Sequence, residues 1–295
     1  MIPKSFEYLS PTTLGQALAQ LDEHGADSKI LAGGQSLIPL MKLRLASPKY
    51  VIDINRIAGM DYVREVPGSD LIQIGAMTRH HSIETSSLLQ KRAPIMPEAA
   101  SMIGDPQVRN NGTIGGSLVH ADPAADWGAI IIALEANLKL VSSSGDRVLA
   151  SDHFFVDSLT SAAKRNEILA EISFLAPKIS GSAYAKLERK TTDFATVGVA
   201  AQLSLDRSGV CERIGIGLAS VASTSMKAVR AESVLKGNEP TKARIEEAAS
   251  TAAEESRPLD DPLRGSAEYK RAMVRVFAIR ALTRALDHAR KKSGM

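Results

Sequence analysis

Apolar positions along this chain change period several times, and the changes outline a mixed order of helices and strands. Leu14, Ala17, Leu18 and Leu21 recur at helical spacing. They predict a first helix with Ser10 as its cap, Pro11 at its first position and Gly25 as its stop. Residues 29–32 read as a short strand that runs into Gly33-Gly34-Gln35-Ser36, a helical turn over 37–43 and a second strand over 50–54. Strands follow over 62–66 and 71–74, joined by a Gly68-Ser69-Asp70 turn, and helices over 82–89 and 96–103. Pro, Asn and Gly punctuate residues 106–116, which read as largely loop. The apolar run 129–136 is a helix or another buried element; its period cannot decide. Residues 138–141 and 147–149 flank a Ser- and Gly-containing turn and predict a hairpin, and 167–174 another strand. Beyond a boundary at 177–181, strands are expected over 184–187, 197–205 and 213–218, then helices over 245–256 and 269–292.

Composition narrows the class. With 295 residues, 44% hydrophobic and 23% charged, the chain reads as a globular protein of more than one domain. A net charge of +3 with no aromatic-interleaved basic stripe argues against nucleic acid. The longest apolar run, residues 127–134, falls far short of the roughly 20 residues of a membrane span. Residues 1–7 hold no apolar core of a secretory signal, so the expected location is cytoplasmic. A single cysteine, Cys211, excludes an internal disulfide and any Cys-rich metal or iron–sulfur site built by this chain alone. It reads as a small buried hydrophobe. The basic side chains of the last helix form a solvated face or a dock for an acidic partner.

Candidate chemistry concentrates in two glycine loops. Ala32-Gly33-Gly34-Gln35-Ser36 lies between a strand and a helical turn. Two adjacent glycines let successive N–H groups face one concavity, which suits a pyrophosphate. Asn110-Asn111-Gly112-Thr113-Ile114-Gly115-Gly116-Ser117-Leu118 repeats the pairing with hydroxyl donors. Two such loops suggest one long phosphate-bearing ligand held from both sides, although a tight turn without ligand explains either one alone. Gly215-Ile216-Gly217-Leu218-Ala219-Ser220 approaches the dinucleotide fingerprint but ends in Ser and opens no clear helix. His80-His81 lacks a third nearby ligand, so no metal site is expected.

The two loops, together with Leu37-Ile38-Pro39-Leu40, Asp53-Ile54-Asn55 and Ile74-Gly75-Ala76-Met77-Thr78, occur in an order and spacing that resembles the FAD-binding medium subunit of the molybdenum hydroxylases. That family includes carbon monoxide dehydrogenase, xanthine dehydrogenase and bacterial N-heterocycle dehydrogenases. The resemblance spans nearly the whole chain. It implies a two-part FAD-binding domain of the vanillyl-alcohol-oxidase type, in an α+β (mixed α/β) fold with a C-terminal α+β domain around a three-stranded sheet. The implied units are 1–56, 57–176 and 177–295. It further implies that Ala32, Gly33, Gly34, Gln35 and Ser36 form one cofactor loop, and Thr113, Gly116 and Ser117 the other. Leu37, Ile103, Gly104, Val108, Gly112, Val119, His120 and Ala125 complete the set along the same motifs. Asp126 falls near the cofactor, Ile168 and Leu169 pack the adenine half, and Lys186, Asp193 and Phe194 lie by the flavin. Phe194 stands where the family often has Tyr, and Gln35 where the carbon monoxide enzymes have His.

The function implied is electron transfer. A large partner would hold the molybdenum cofactor, a small partner two [2Fe–2S] clusters, and non-covalent FAD on this chain would pass electrons to an external acceptor, in a dimer of heterotrimers. Backbone N–H groups and Lys186 could stabilise negative charge on reduced flavin. Two other readings stay open: a stand-alone FAD-dependent oxidase, and a binding module that has lost its cofactor.

Overall fold

The computed structural model describes residues 2–293. Strand β1 (Glu7–Leu9), helix α1 (Leu14–His24), β2 (Ser28–Leu31), α2 (Leu37–Lys42) and β3 (Tyr50–Asp53) form a small three-stranded parallel sheet in the order β1-β3-β2. α1 starts later than the sequence suggested. Thr13, not Ser10, is the cap, its hydroxyl accepting from Gln16 N at 3.2 Å, and Pro11 stays outside the helix. Gly25 ends it at φ 48°, its N–H returned to Leu21 O.

The next stretch comprises β4 (Val63–Glu65), β5 (Leu71–Gly75), α3 (His80–Glu84), α4 (Ser87–Arg92), α5 (Ile95–Ser101), α6 (Pro106–Asn111), α7 (Ile114–His120) and α8 (Asp126–Ala133). Then come β6 (Asn137–Ser142), β7 (Gly145–Ala150), β8 (Phe155–Asp157), β9 (Thr160–Ser161) and β10 (Ile168–Leu175). β4-β5-β10-β6-β7 form an antiparallel sheet, and the predicted β6–β7 hairpin is present. Two expectations are corrected here. The helix predicted over 82–89 is two helices, because Ser86 caps a new one by accepting from Leu89 N. Residues 106–116, read as loop, carry α6 and the start of α7. Asp105 caps α6 with Pro106 at its first position, and Thr113 caps α7. Gly and Pro punctuate there because two short capped helices meet.

The last part holds β11 (Ser180–Leu187), β12 (Val197–Leu205), β13 (Cys211–Ala219), β14 (Met226–Lys227), α9 (Val229–Leu235), α10 (Lys242–Glu255) and α11 (Ala267–Ser293). Three long antiparallel strands are joined by the two-residue β14. Strand alternation sends Ala183, Ala185, Val199 and Ala201 into a core with α10 and α11. Tyr184, Ala200 and Ala219 turn the other way, into the core that α8 shares with the five-stranded sheet. Cys211 is buried in the former core, and burial pushes its thiol up to about 11.

Residues 129–133 of the run at 129–136 belong to α8, which is buried along its whole length. It lies hard against β13. A Cβ on Gly217 would meet Ala129 O at 1.9 Å, and one on Gly215 would meet Ala133 O at 2.0 Å. The glycines that approached a dinucleotide fingerprint are therefore spacers for helix-on-sheet contact. Gly217→Ala sets backbone against backbone and should cost about 2–3 kcal/mol, read as a lower urea midpoint. Gly15→Ala, in α1 with nothing within 4 Å of the new methyl, should add about 0.5–1 kcal/mol of stability, read as a higher midpoint.

Candidate functional site

The first glycine loop links β2 to α2. Gly34 takes φ 73°, a conformation that suits glycine. Among the described residues, no acceptor takes the N–H of Gly33, Gly34, Gln35, Ser36 or Leu37. Five successive donors are thus left over in one half-exposed loop, and Gln35 folds its own amide back onto Gly33 O at 3.1 Å. Uncommitted N–H groups in such a turn are an anion receptor.

The second loop behaves differently. Ile114 N donates to Thr78 O (3.0 Å), Gly115 N to Ala76 O (2.8 Å), Gly116 N to Thr113 Oγ1 (3.1 Å) and Ser117 N to Thr113 O (3.1 Å). Its donors are spent on its own construction, so it contributes shape. The two loops touch. A Cβ on Gly33 would fall 2.3 Å from Asn111 O and 2.6 Å from Gly112 Cα, and one on Gly116 would reach Ala32 Cβ at 3.4 Å. The glycine pairs permit this approach.

A buried polar cluster lies beneath. Asp126, the first residue of α8, accepts from Tyr184 Oη at 2.6 Å through Oδ1 and from Lys186 Nζ at 3.2 Å through Oδ2. Lys186 Nζ also donates to Met102 O at 3.1 Å and lies 3.5 Å from Glu188 Oε2. The Lys186 and Asp126 side chains are only 2% and 5% exposed. Burial pushes the Asp126 carboxyl above the ordinary carboxylate range, against the pull of Lys186 and Tyr184. Burial and the Asp126 charge raise Tyr184 well above 10.0. The ammonium is therefore saturated by the protein and is a fixed, inward-held charge.

Arg109 ties the neighbouring turn, donating to Gly104 O at 2.7 Å and to Glu84 Oε2 at 2.9 Å. Gly104, at φ 51°, packs against Val108, next to Ile103. His80 sits under Gly112. Its backbone N–H donates to Gly112 O at 2.9 Å, and its Nδ1 accepts from Trp127 Nε1 at 3.1 Å. That bond requires a neutral imidazole with its proton on Nε2. Burial, with Arg109 nearby, lowers it to about 4.

Phe194 is 48% exposed. Ala195 N donates to Ala124 O at 3.3 Å, which brings that segment beside Ala125 and the head of α8. Asp193 accepts from Arg189 Nε at 3.0 Å and from Phe194 N at 2.9 Å. Val119 is exposed on α7. His120 is the last residue of that helix. Ser117 is half-buried in it. Ile168 and Leu169 are core residues of β10, which packs against α7. Close approach groups Ala32 and Gly33 with Gly112 and Gly116; the bonds of Lys186 tie Asp126 to Met102, next to Ile103 and Gly104, and the Ala195–Ala124 bond sets Phe194 near Ala125. No bond or ring contact among the described residues links Ile168 or Leu169 side chains to either loop.

Residues 4–175 match the FAD binding domain in molybdopterin dehydrogenase, and residues 182–285 match the CO dehydrogenase flavoprotein C-terminal domain. The chain belongs to this family of FAD-binding medium subunits. It is 43% identical to the carbon monoxide dehydrogenase medium chain of Hydrogenophaga pseudoflava, over 97% of this chain and 98% of that one. It is 36% identical to the 6-hydroxypseudooxynicotine dehydrogenase complex subunit alpha of Paenarthrobacter nicotinovorans, over 98% and 97%. The solved carbon monoxide dehydrogenase from H. pseudoflava that lacks the Mo-pyranopterin moiety superposes with a TM-score of 0.94 at 42% identity, covering 98% of this chain and 99% of that one. The subunit is thus a flavoprotein component of a molybdenum oxidoreductase, mixed α and β in fold. Relatives that act on molecules as unlike as carbon monoxide and a nicotine derivative share it.

Tyr184, Glu188, Met102 and Arg109 were absent from the predicted site. One signal was available: Tyr184 and Lys186 alternate along β11 and so share a face, with Glu188 one residue past its end in the same phase. Nothing in the sequence announced that Met102 would give its carbonyl.

His80 also fixes a pH dependence. The unfolded imidazole takes a proton below 6.5, whereas the folded one resists until about 4. Stability is therefore complete above 6.5 and falls as pH drops towards 4. Between pH 7 and pH 5 this residue alone should remove about 2 kcal/mol. Urea unfolding at both pH values should show that loss, and His80→Gln, which keeps an acceptor for Trp127, should flatten it.

Proposed function

We propose that this subunit holds FAD non-covalently with its pyrophosphate on the first glycine loop, and carries electrons between partner [2Fe–2S] clusters and an external acceptor. Five adjacent N–H groups with no acceptor among the described residues carry this reading. FAD, when bound, supplies reversible acceptance of electrons one or two at a time. The chain's own residues provide the setting. Gly33 to Leu37 offer donors to a dianionic pyrophosphate, and the contact of Gly33 and Gly116 with the opposite loop closes the cradle. Lys186, locked between Asp126, Met102 O and Glu188, is held in one position with its charge balanced by the two carboxylates. His80 stays neutral beneath the second loop and adds no competing charge. Phe194 gives an exposed aromatic edge at the rim.

Non-covalent attachment follows from the loops' chemistry. Neither glycine loop contains His or Cys, Gln35 is engaged with Gly33 O, and Cys211 lies in the other core. The same facts weigh against a stand-alone oxidase with tethered flavin. Under this reading the chain divides into units 1–56, 57–176 and 177–295, following its three main sheets. A large subunit holds the molybdenum cofactor and performs the hydroxylation, a small one holds both clusters, and two such heterotrimers pair in the cytoplasm. No helix among the described residues is long and apolar enough to cross a membrane.

The complex purified with its partners should show flavin absorption that moves to the supernatant on acid precipitation. Flavin in the pellet would overturn non-covalent attachment, and a flavin-free complex would overturn the site. Gly33→Ala places a methyl 2.3 Å from Asn111 O. It should lower flavin content by about tenfold or more, in line with a loss of roughly 1–3 kcal/mol. Far-ultraviolet circular dichroism should stay unchanged.

A further inference from the structure

The first glycine loop leaves β2 where the backbone ladder stops. The last backbone bond between β3 and β2 runs from Ile54 N to Leu31 O at 3.1 Å. One residue on, Ala32 O has no strand neighbour. Asn55 replaces one, its Nδ2 donating to Ala32 O at 2.8 Å. The same Nδ2 donates to Asp53 Oδ1 at 2.7 Å, and Asn55 N donates to that oxygen at 2.9 Å. Two acceptors on one nitrogen settle the orientation of the amide, since the reversed group would set oxygen against oxygen. Asp53 is held in turn. Its Oδ2 accepts from the Tyr8 hydroxyl on β1, a bond that raises the Tyr8 phenol.

The geometry points to Asn55 as a positioning residue for the pyrophosphate, acting through the peptide plane between Ala32 and Gly33; this rests on the FAD reading above. In a trans peptide the C=O and N–H point in opposite directions across one rigid plane. Pinning Ala32 O towards Asn55 therefore aims Gly33 N–H to the other side. Gly33 N–H is the first of the five uncommitted donors, so its direction sets the start of the series. Glycine at 33 and 34 leaves this stretch free to rotate, and an external tether has to supply what side-chain sterics do not. Tyr8 on β1, Asp53 at the end of β3 and Asn55 just beyond it form that tether and reach the loop from behind. Asn55 meets no ligand itself.

The test uses the deflavinated complex with its partner subunits and three probes: FAD, FMN and riboflavin. Asn55→Leu keeps the side chain's size and removes both donors. FAD affinity should fall about tenfold, the scale of one positioned hydrogen bond, while riboflavin affinity stays within about twofold of wild type. The ratio of FAD to riboflavin affinity is the diagnostic quantity, because general loosening lowers both alike. An unchanged ratio overturns the role of Asn55. Tyr8→Phe removes one exposed hydroxyl and keeps the strand, and it reads the same tether if Asn55→Leu is unstable. It should lower the ratio about threefold, a fraction of one hydrogen bond, and an unchanged ratio there also overturns the inference. A wild-type complex that shows no preference for FAD over riboflavin overturns the pyrophosphate reading itself, which separates that failure from failure of the tether.

Discussion

A helix with no exposed residue governs this molecule. α8 is apolar on every side from Trp127 to Ala133, so it must be covered all round. β13 covers one side, close enough only because Gly215 and Gly217 lack side chains. The five-stranded sheet and α5 contribute to the rest of its cover. Its N-terminus then becomes the difficulty, because Asp126 begins the helix inside protein. A buried carboxylate needs partners, and Tyr184 and Lys186 meet that need from β11. Burying one apolar helix thus draws a tyrosine, a lysine and a carboxylate together. Glu98 extends the tie, accepting from Tyr184 N at 3.1 Å and pairing with Arg284 on α11. Part of the basic face that read as solvated or partner-binding is used internally.

The two glycine loops look alike in sequence and do different work. The first keeps its N–H groups uncommitted and relies on Asn55 and Asp53 for its direction. The second spends its N–H groups on Ala76, Thr78 and Thr113 and stands as a rigid wall. Such division suits a site where one surface grips charge and the other limits space. Satisfying the second loop internally also removes four donors that would otherwise compete for the same anion.

Much of this was legible from periodicity. The β6–β7 hairpin, the long strands β12 and β13, and helices α10 and α11 follow patterns that run for whole elements. The order of motifs was enough to reach the family. Short elements escaped because their cause is capping rather than period: Asp105 and Thr113 start α6 and α7 in a stretch whose glycines suggest loop. Ser10 lost the cap of α1 to Thr13, since both residue types fit the rule and only the chain's path chooses between them. The partners of Lys186 were hidden for another reason. Met102 is 84 residues away and acts through its carbonyl, a group that every residue owns.

Strand β11 carries its two roles on opposite faces, Ala183 and Ala185 towards one core and Tyr184 and Lys186 towards the other. Point changes on such a strand affect one face at a time. Adding or removing a single residue shifts the pleat by one step and exchanges the faces. The lysine would enter a core lined with alanines, and an alanine would stand before Asp126. Strand length between Ser180 and Leu187 is consequently fixed more tightly than its composition, and lineages of this subunit should vary there by substitution and not by insertion or deletion.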